Sequence, residues 1–182
     1  EASTKVLPVE DGVVQFNERI SFPVRPMLGV IGVAPEKDAV HCATPGKHGG
    51  NLDTKDITVG SKVYFPVFVD GANLACGDLH ASMGDGELDG TGIEIAGKVK
   101  LRVTKAKPLG LSVPLVETED AYMIVSSAKT FDAATREGLE QTVKLLQSAL
   151  ELTFPDAYRL MSAVCDLRIS QIVNPLLTVR VV

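Results

Sequence analysis

Tryptophan is absent, and aromatic residues make up only 5% of this 182-residue chain. Basic charge is also scarce: 18 Lys and Arg face 23 Asp and Glu, for a net charge of −5. No basic run exceeds a few residues, so a phosphate-neutralising surface for nucleic acid is not expected. No stretch approaches the ~20 apolar residues of a membrane span, so no membrane partner is expected. Three cysteines, at 42, 76 and 165, are too few for a disulfide framework, and none lies in a Cys-x-x-Cys pair. That excludes a zinc ribbon and makes the reducing cytoplasm the expected location. A repeat, a low-complexity segment and a signal-peptide pattern are likewise missing. Residue 1 is Glu rather than Met, which points to processing, cleavage or an incomplete chain.

What the chain does have is 45% hydrophobic residues, 16 Gly and 10 Pro, a composition suited to a core and to many turns. Its character changes near residue 115. Before that point glycine and proline punctuate short apolar runs, and after it helical periodicity appears. Residues 61–69 are apolar on both alternating faces, as in a strand buried on both sides, and Pro66 confines that strand to an edge or a bulge. Residues 98–103 alternate cleanly, Lys98, Lys100 and Arg102 against Val99, Leu101 and Val103, and read as the clearest strand of all. Shorter strands are expected at 28–33, 121–126 and 176–182. Leu139, Val143, Leu146 and Leu150 mark an amphipathic helix over about 132–150 with Asp132 as N-cap. A second helix should begin near Pro155. Thr153 and Asp156 have capping-box spacing there, and Tyr158, Met161 and Cys165 would form its inner face. The expected fold is α+β: a mainly β barrel or sandwich over 1–115 that carries the site, then an α/β layer over 116–182 with two helices and a closing strand.

The chemistry concentrates between Gly71 and Glu94. Six glycines alternate there with Asp78, His80, Asp85, Glu87, Asp89 and Glu94. Asp78 and His80 are two apart, so a strand presents both on one face. Carboxylate plus imidazole suits a divalent transition metal, and the glycines let the backbone turn Asp85 and Glu87 back towards that pair. Such a metal lowers the pKa of a bound water and polarises a carbonyl. Solvated turn aspartates need no ligand, and Asp89 is explained that way. Asp85-Gly-Glu-Leu-Asp-Gly90 imitates half of an EF-hand loop, but its twelfth position would be Ala96 where a bidentate Glu is required. In a second cluster, Pro45-Gly-Lys-His-Gly-Gly-Asn-Leu-Asp53, Lys47 and His48 could line a pocket, with Asn51 and Asp53 turned inward. An ordinary surface loop is the simpler reading of that composition. Cys76, with His80 as base and Asp78 as orienter, is a thiol alternative, although a small Cys between Ala75 and Gly77 is more often packing.

Several of these motifs together resemble the acetamidase/formamidase family. The matching stretches are Leu28-Gly-Val-Ile-Gly-Val-Ala-Pro35, Pro45-Gly-Lys-His-Gly-Gly-Asn-Leu-Asp53, Gly60-Ser-Lys-Val-Tyr-Phe-Pro-Val67, Cys76-Gly-Asp-Leu-His-Ala-Ser-Met-Gly-Asp-Gly-Glu87 and Gly92-Ile-Glu94. Asp156-Ala-Tyr-Arg-Leu-Met-Ser-Ala-Val-Cys-Asp-Leu-Arg-Ile169 looks like the family's closing helix. The likeness runs through nearly the whole chain in order. Met83 departs from it, standing where the family commonly has Gln. Family members are longer and begin with another β-rich segment, which nothing here resembles.

The resemblance implies hydrolysis of small aliphatic amides, formamide or acetamide, to ammonia and carboxylate by a metal-binding homo-oligomer. By that resemblance residue 1 falls inside the family's sequence, and a separate chain could supply the segment before it. By motif, Asn51 and Asp53 match the Gly-Gly-Asn-x-Asp element. Asp78, His80, Asp85 and Glu87 match Gly-Asp-x-His…Gly-Asp-Gly-Glu, and Glu94 matches the following Ile-Glu. On chemical grounds Asp78, His80, Asp85 and Glu94 are the expected ligands of a divalent ion, zinc first and calcium second. Glu87 is expected to take a proton from water and pass it to the leaving amine. Asn51 would donate to the developing oxyanion, and Asp53 would orient His80 or the substrate. The competing functions are a Cys76-dependent amidase, a non-catalytic metal- or sugar-binding β module, and a hydrolase of urea or a carbamate.

Overall fold

The computed structural model describes residues 3–182; Glu1 and Ala2, the start of the expected β-rich portion, lie outside the described residues. Three short strands, β1 (Val9–Glu10), β2 (Val13–Gln15) and β3 (Ser21–Pro23), form a small antiparallel meander. Next comes β4 (Met27–Gly32), the centre of a second three-stranded sheet and buried along almost all its length. Its partners are β5 (Gly49–Asn51) and, after the separate strand β6 (Lys62–Tyr64), β7 (Ala75–His80). The third sheet has five antiparallel strands. β8 (Leu115–Glu117) and β9 (Tyr122–Ala128) precede α1 (Phe131–Leu150) and α2 (Phe154–Val164), and β10 (Leu167–Gln171) and β11 (Leu177–Val181) follow. Its order is β10-β11-β9-β8-β6, with α1 packed on β9 and β11.

The architecture is α+β and mainly β, as the sequence implies. Of the expected barrel or sandwich, the barrel is not formed. Closure needs a ladder between the first and last strands of a sheet, and each of the three sheets stays open among the described residues. The apolar runs at 28–33, 121–126 and 176–182 become β4, β9 and β11. The run at 61–69 is a strand only over Lys62–Tyr64, and it occupies the sheet edge, where the missing donor of Pro66 costs no ladder bond.

Residues 98–103 are the main correction. They form no strand, and Val99, Leu101 and Val103 are exposed rather than turned into a core. Alternation gives a segment two faces but no ladder partner, and no strand edge pairs with it among the described residues.

Both helices start where a hydroxyl can cap them. For α1 the N-cap is Thr130, whose Oγ1 accepts from the Ala133 N–H at 3.2 Å, rather than Asp132. Asp132 sits in the first turn instead, facing the positive end of the helix dipole. Thr153 caps α2 as expected: it accepts from the Asp156 N–H and donates its hydroxyl to the Asp156 carboxylate at 2.8 Å. The inner face of α2 is Ala157 and Met161, not Tyr158. Tyr158 stacks on Phe154 one turn back, with ring centroids 5.9 Å apart, on the exposed side. Cys165 caps the helix C-terminus through its N–H to the Met161 carbonyl.

The largest core cluster ties the second sheet to the third. Leu28, Ile31, Leu52 and Ile57 pack against Val116, Met123 and Val125. Each such side chain contributes about 1.5–3 kcal/mol on burial, so the β4–β5–β7 sheet is held firmly against the larger one. No helix among the described residues is long and apolar enough to cross a membrane.

Candidate functional site

β7 supplies Asp78 and His80, and their two-residue spacing places both on one face, with His80 Nε2 3.4 Å from Asp78 Oδ1. His80 is fully buried across from Met27 on β4. The chain then returns, the Ala81 N–H bonding to Ile93 O and the Ile95 N–H to Leu79 O, which sets Glu94 beside His80. Glu94 Oε1 lies 3.2 Å from Nε2 and also accepts from the Thr91 hydroxyl at 2.9 Å. The third carboxylate, Asp53, follows β5, with its Oδ1 4.0 Å from the same nitrogen. One buried imidazole nitrogen therefore faces three carboxylates from three separate chain segments.

Glu87 completes the group from below. Asp53, His80 and Glu87, all buried, offer ligand atoms that lie within 4.8 Å of one another, as do those of Asp78, His80 and Glu94. The first set is closed off, whereas Asp78 is half-buried and Glu94 open to solvent. The site thus has a dry floor and a wet mouth. Desolvation raises the Glu87 carboxyl to about 8, with the Asp53 carboxylate adding to the effect. Burial likewise raises Asp53 and Glu94 above the ordinary carboxylate range, opposed at Asp53 by the Asn174 amide and at Glu94 by the Thr91 hydroxyl.

Two glycines make room for these groups. Gly29 stands across from Asp78, between the register pairs Leu28–Leu79 and Val30–Gly77. A methyl there would overlap Asp78 Oδ2 and come within 2.6 Å of Asp53 Oδ1. At Gly92 a methyl would overlap the His80 ring, 2.7 Å from Cγ. Asp53, Asp78 and Glu87 themselves hold left-handed backbone conformations, with φ of 41°, 58° and 48°. Such strain persists only where surrounding structure over-determines it, and it clusters at functional sites.

Three buried polar atoms in this floor lack a protein hydrogen-bond partner: Asp53 Oδ1, His80 Nδ1 and Glu87 Oε2. Oxygen donors with one imidazole, close-set and unsatisfied, fit a divalent cation.

Of the residues the sequence singles out, the structure brings Asp53, Asp78, His80, Glu87 and Glu94 together. Asn51 lies at the edge of the cluster, its Oδ1 buried without a partner. Asp85 is drawn away: both its oxygens accept from Arg180 Nη2, at 2.7 and 2.9 Å, and Lys55 pairs with it at 3.1 Å. Asp85, Glu87 and Asp89 do not converge, in line with rejecting the EF-hand. Lys47 pairs with Glu137 of α1 at 3.2 Å. His48 lines a separate shallow pocket with Pro35, Glu36 and Phe68, where burial lowers its pKa. Cys76 is exposed, and a rise of about 3.3 Å per residue places it on the order of 13 Å from His80 along β7, beyond hydrogen-bond reach.

Sequence reasoning missed Asn174. Its Nδ2 donates to Asp53 Oδ2 at 2.6 Å and to Asn51 O at 3.0 Å. Buried Gln171 delivers it, accepting from the N–H groups of Val173 and Asn174 with Oε1. Asn174-Pro175 reads locally as a turn, and nothing in that dipeptide points 121 residues back to Asp53.

Comparison with known proteins points to one family by sequence and fold. A model of the Acetamidase/Formamidase family matches residues 36–180. The formamidase of Methylophilus methylotrophus is 37% identical over 117 residues, 58% of this chain and 29% of that protein. The crystal structure of acetamidase from Bacillus halodurans is 46% identical with a TM-score of 0.93, covering 97% of this chain and 60% of that one. A predicted acetamidase/formamidase from Thermoanaerobacter tengcongensis is 45% identical with a TM-score of 0.91, covering 97% and 59%. The chain thus spans about 60% of these solved relatives, and the match covers under a third of the curated one.

Proposed function

The chain belongs to the acetamidase/formamidase family, and from that premise we propose that the protein hydrolyses small aliphatic amides, such as formamide and acetamide, to ammonia and the carboxylate. The observation that carries the reading is the convergence of three carboxylates on His80 Nε2, with the buried Glu87 carboxyl beside them.

Asp78, His80 and Glu94, at the open side, would hold a divalent ion, with zinc ahead of calcium because one donor is imidazole. Such an ion supplies an activated water and a polarised carbonyl. The remaining roles fall to the chain. Glu87, as its carboxylate, would take a proton from water and pass it to the departing nitrogen, and burial, which raises its carboxyl above the ordinary range, makes it the stronger base. Asp53 has Oδ2 engaged by Asn174, which leaves Oδ1 free towards His80 and the substrate amino group. Asn51 stands nearby, and its Nδ2, rather than the orphaned Oδ1, would donate to the oxyanion. Gly29 and Gly92 keep the floor clear.

The test is ammonia release from formamide, acetamide, urea and a carbamate, before and after chelation, with zinc or calcium added back. Release from an amide, lost on chelation and restored by one ion, supports the reading and names the ion. Preference for urea or a carbamate would change the substrate class. Binding without turnover of any of them would overturn the reading.

A further inference from the structure

We propose that Arg180 is a positioning residue that locks the two strained loops carrying Asp53 and Glu87 into register, acting through Asp85 and Asp56 without touching the substrate. The proposal rests on the amide-hydrolysis reading for its activity readout only.

Arg180 lies on β11 and is completely buried. Its guanidinium is shared among four groups. Nη2 donates to both oxygens of Asp85, Nη1 donates to the Ile169 carbonyl at 2.6 Å and to Ser170 Oγ at 3.3 Å, and Nε forms a charge pair with Asp56 Oδ2 at 2.8 Å without the geometry of a hydrogen bond. Asp85 is two residues before Glu87, and Asp56 three residues after Asp53. Ser170 joins the same two loops a second time. Its carbonyl accepts from the Gly86 N–H at 2.9 Å, and its hydroxyl accepts from Thr54 Oγ1 at 2.9 Å.

A buried cation with this many partners has a reason to be there. Removing a charge from water is costly unless the pairing is excellent, and apolar replacements of a buried pair are often as stable. Conformational specificity is the gain that such a pairing offers. Here the loops to be specified each end on a non-glycine residue in the left-handed region, Asp53 and Glu87, which relaxes unless its neighbours hold it. The planar guanidinium hydrogen-bonds the Asp85 carboxylate and the Ile169 carbonyl in fixed directions while its charge faces Asp56, whereas a lysine ammonium is a point charge on a flexible stem.

The test compares wild type, Asp85→Asn and Arg180→Lys in the intact protein. It reads kcat and KM for the amide, together with amide hydrogen exchange of the 84–90 segment and of α1. Asp85→Asn keeps shape and removes the charge, so it carries the test if Arg180→Lys fails to fold. For Asp85→Asn, which frees the Glu87 loop, positioning predicts that kcat falls about 10- to 100-fold while KM stays within about twofold, because a proton-transfer group is misplaced. Arg180→Lys, which frees the Asp53 loop as well, should also raise KM. It also predicts faster exchange at Gly86 and Glu87 with α1 unchanged. Wild-type kcat in both variants, or exchange that quickens equally in α1, would overturn the proposal. A wild type that releases no ammonia defeats the amide reading instead, and the exchange pattern then decides the clamp alone.

Discussion

Two segments of similar length, 98–103 and 75–80, behave oppositely. The first has the cleaner strand pattern, with charged and aliphatic residues in strict alternation, and it pairs with nothing among the described residues. The second, Ala-Cys-Gly-Asp-Leu-His, carries a glycine and a left-handed aspartate, and it is a strand of six residues that bears the site. Alternation reports which faces a segment would have. A strand exists only if another backbone takes its N–H and C=O groups, and β7 has β4, an apolar strand sunk in the core, to do so. Functional strands can carry poor local propensity because the sheet beside them supplies the stability.

The sharpest way to break that contrast is at His80. On the amide reading, His80→Ala should lower ammonia release by on the order of 10³-fold and abolish binding of the proposed divalent ion, measured by steady-state kinetics and elemental analysis. Retention of both would remove β7 from the chemistry. Gly29→Ala comes next. Its methyl would press on Asp78 and Asp53 across the β4–β7 pair, and a loss of about 100-fold in kcat with unchanged circular dichroism is expected. Wild-type kinetics in this variant would show that the two carboxylates are not held where they are drawn.

A third prediction concerns pH. The folded protein holds the Glu87 proton up to about 8, whereas the unfolded chain releases it near 4.5. The folded state therefore binds more protons between those values. Its extra stability is complete below about 4.5 and is lost as pH rises through about 8. Thermal melts of the chelator-treated protein should show Tm falling across that window, and Glu87→Gln should flatten the fall. Asp53 and Glu94, raised by burial, add to the fall, and His48, lowered by burial, opposes it. A Tm that climbs from pH 5 to 8 in wild type would contradict the arrangement. The smallest effect is expected in the unpaired segment: Val103→Asp should change stability by less than about 0.5 kcal/mol in a denaturant titration, because that side chain is 73% exposed and joins no ladder. A loss of several times that size would mean the segment has a partner after all.

Much of the fold was legible because local rules agreed with tertiary ones. The 3.6-residue period over 139–150 produced α1, and hydroxyl caps opened both helices. The three apolar runs that became β4, β9 and β11 had buried neighbours waiting. Errors arose where a choice between similar local options was settled from afar. Thr130 outcompeted Asp132 as cap, and Ala157 outcompeted Tyr158 for the inner face.

The site divides the same way. Asp78 and His80 share a face because they are two apart on a strand, and Glu94 reaches them through a short return of the chain, so these three were readable from spacing and motif. By itself the amino-acid order determined which acids and which imidazole were available, and where the chain could turn to bring them close. The tertiary structure alone decided how they were used. Arg180, 95 residues beyond Asp85, drew that carboxylate out of the cluster, and Asn174, 121 residues beyond Asp53, aimed another into it. The reason is physical: a buried charge must be neutralised by whatever group the packing brings within hydrogen-bond distance, and that partner has no local signature.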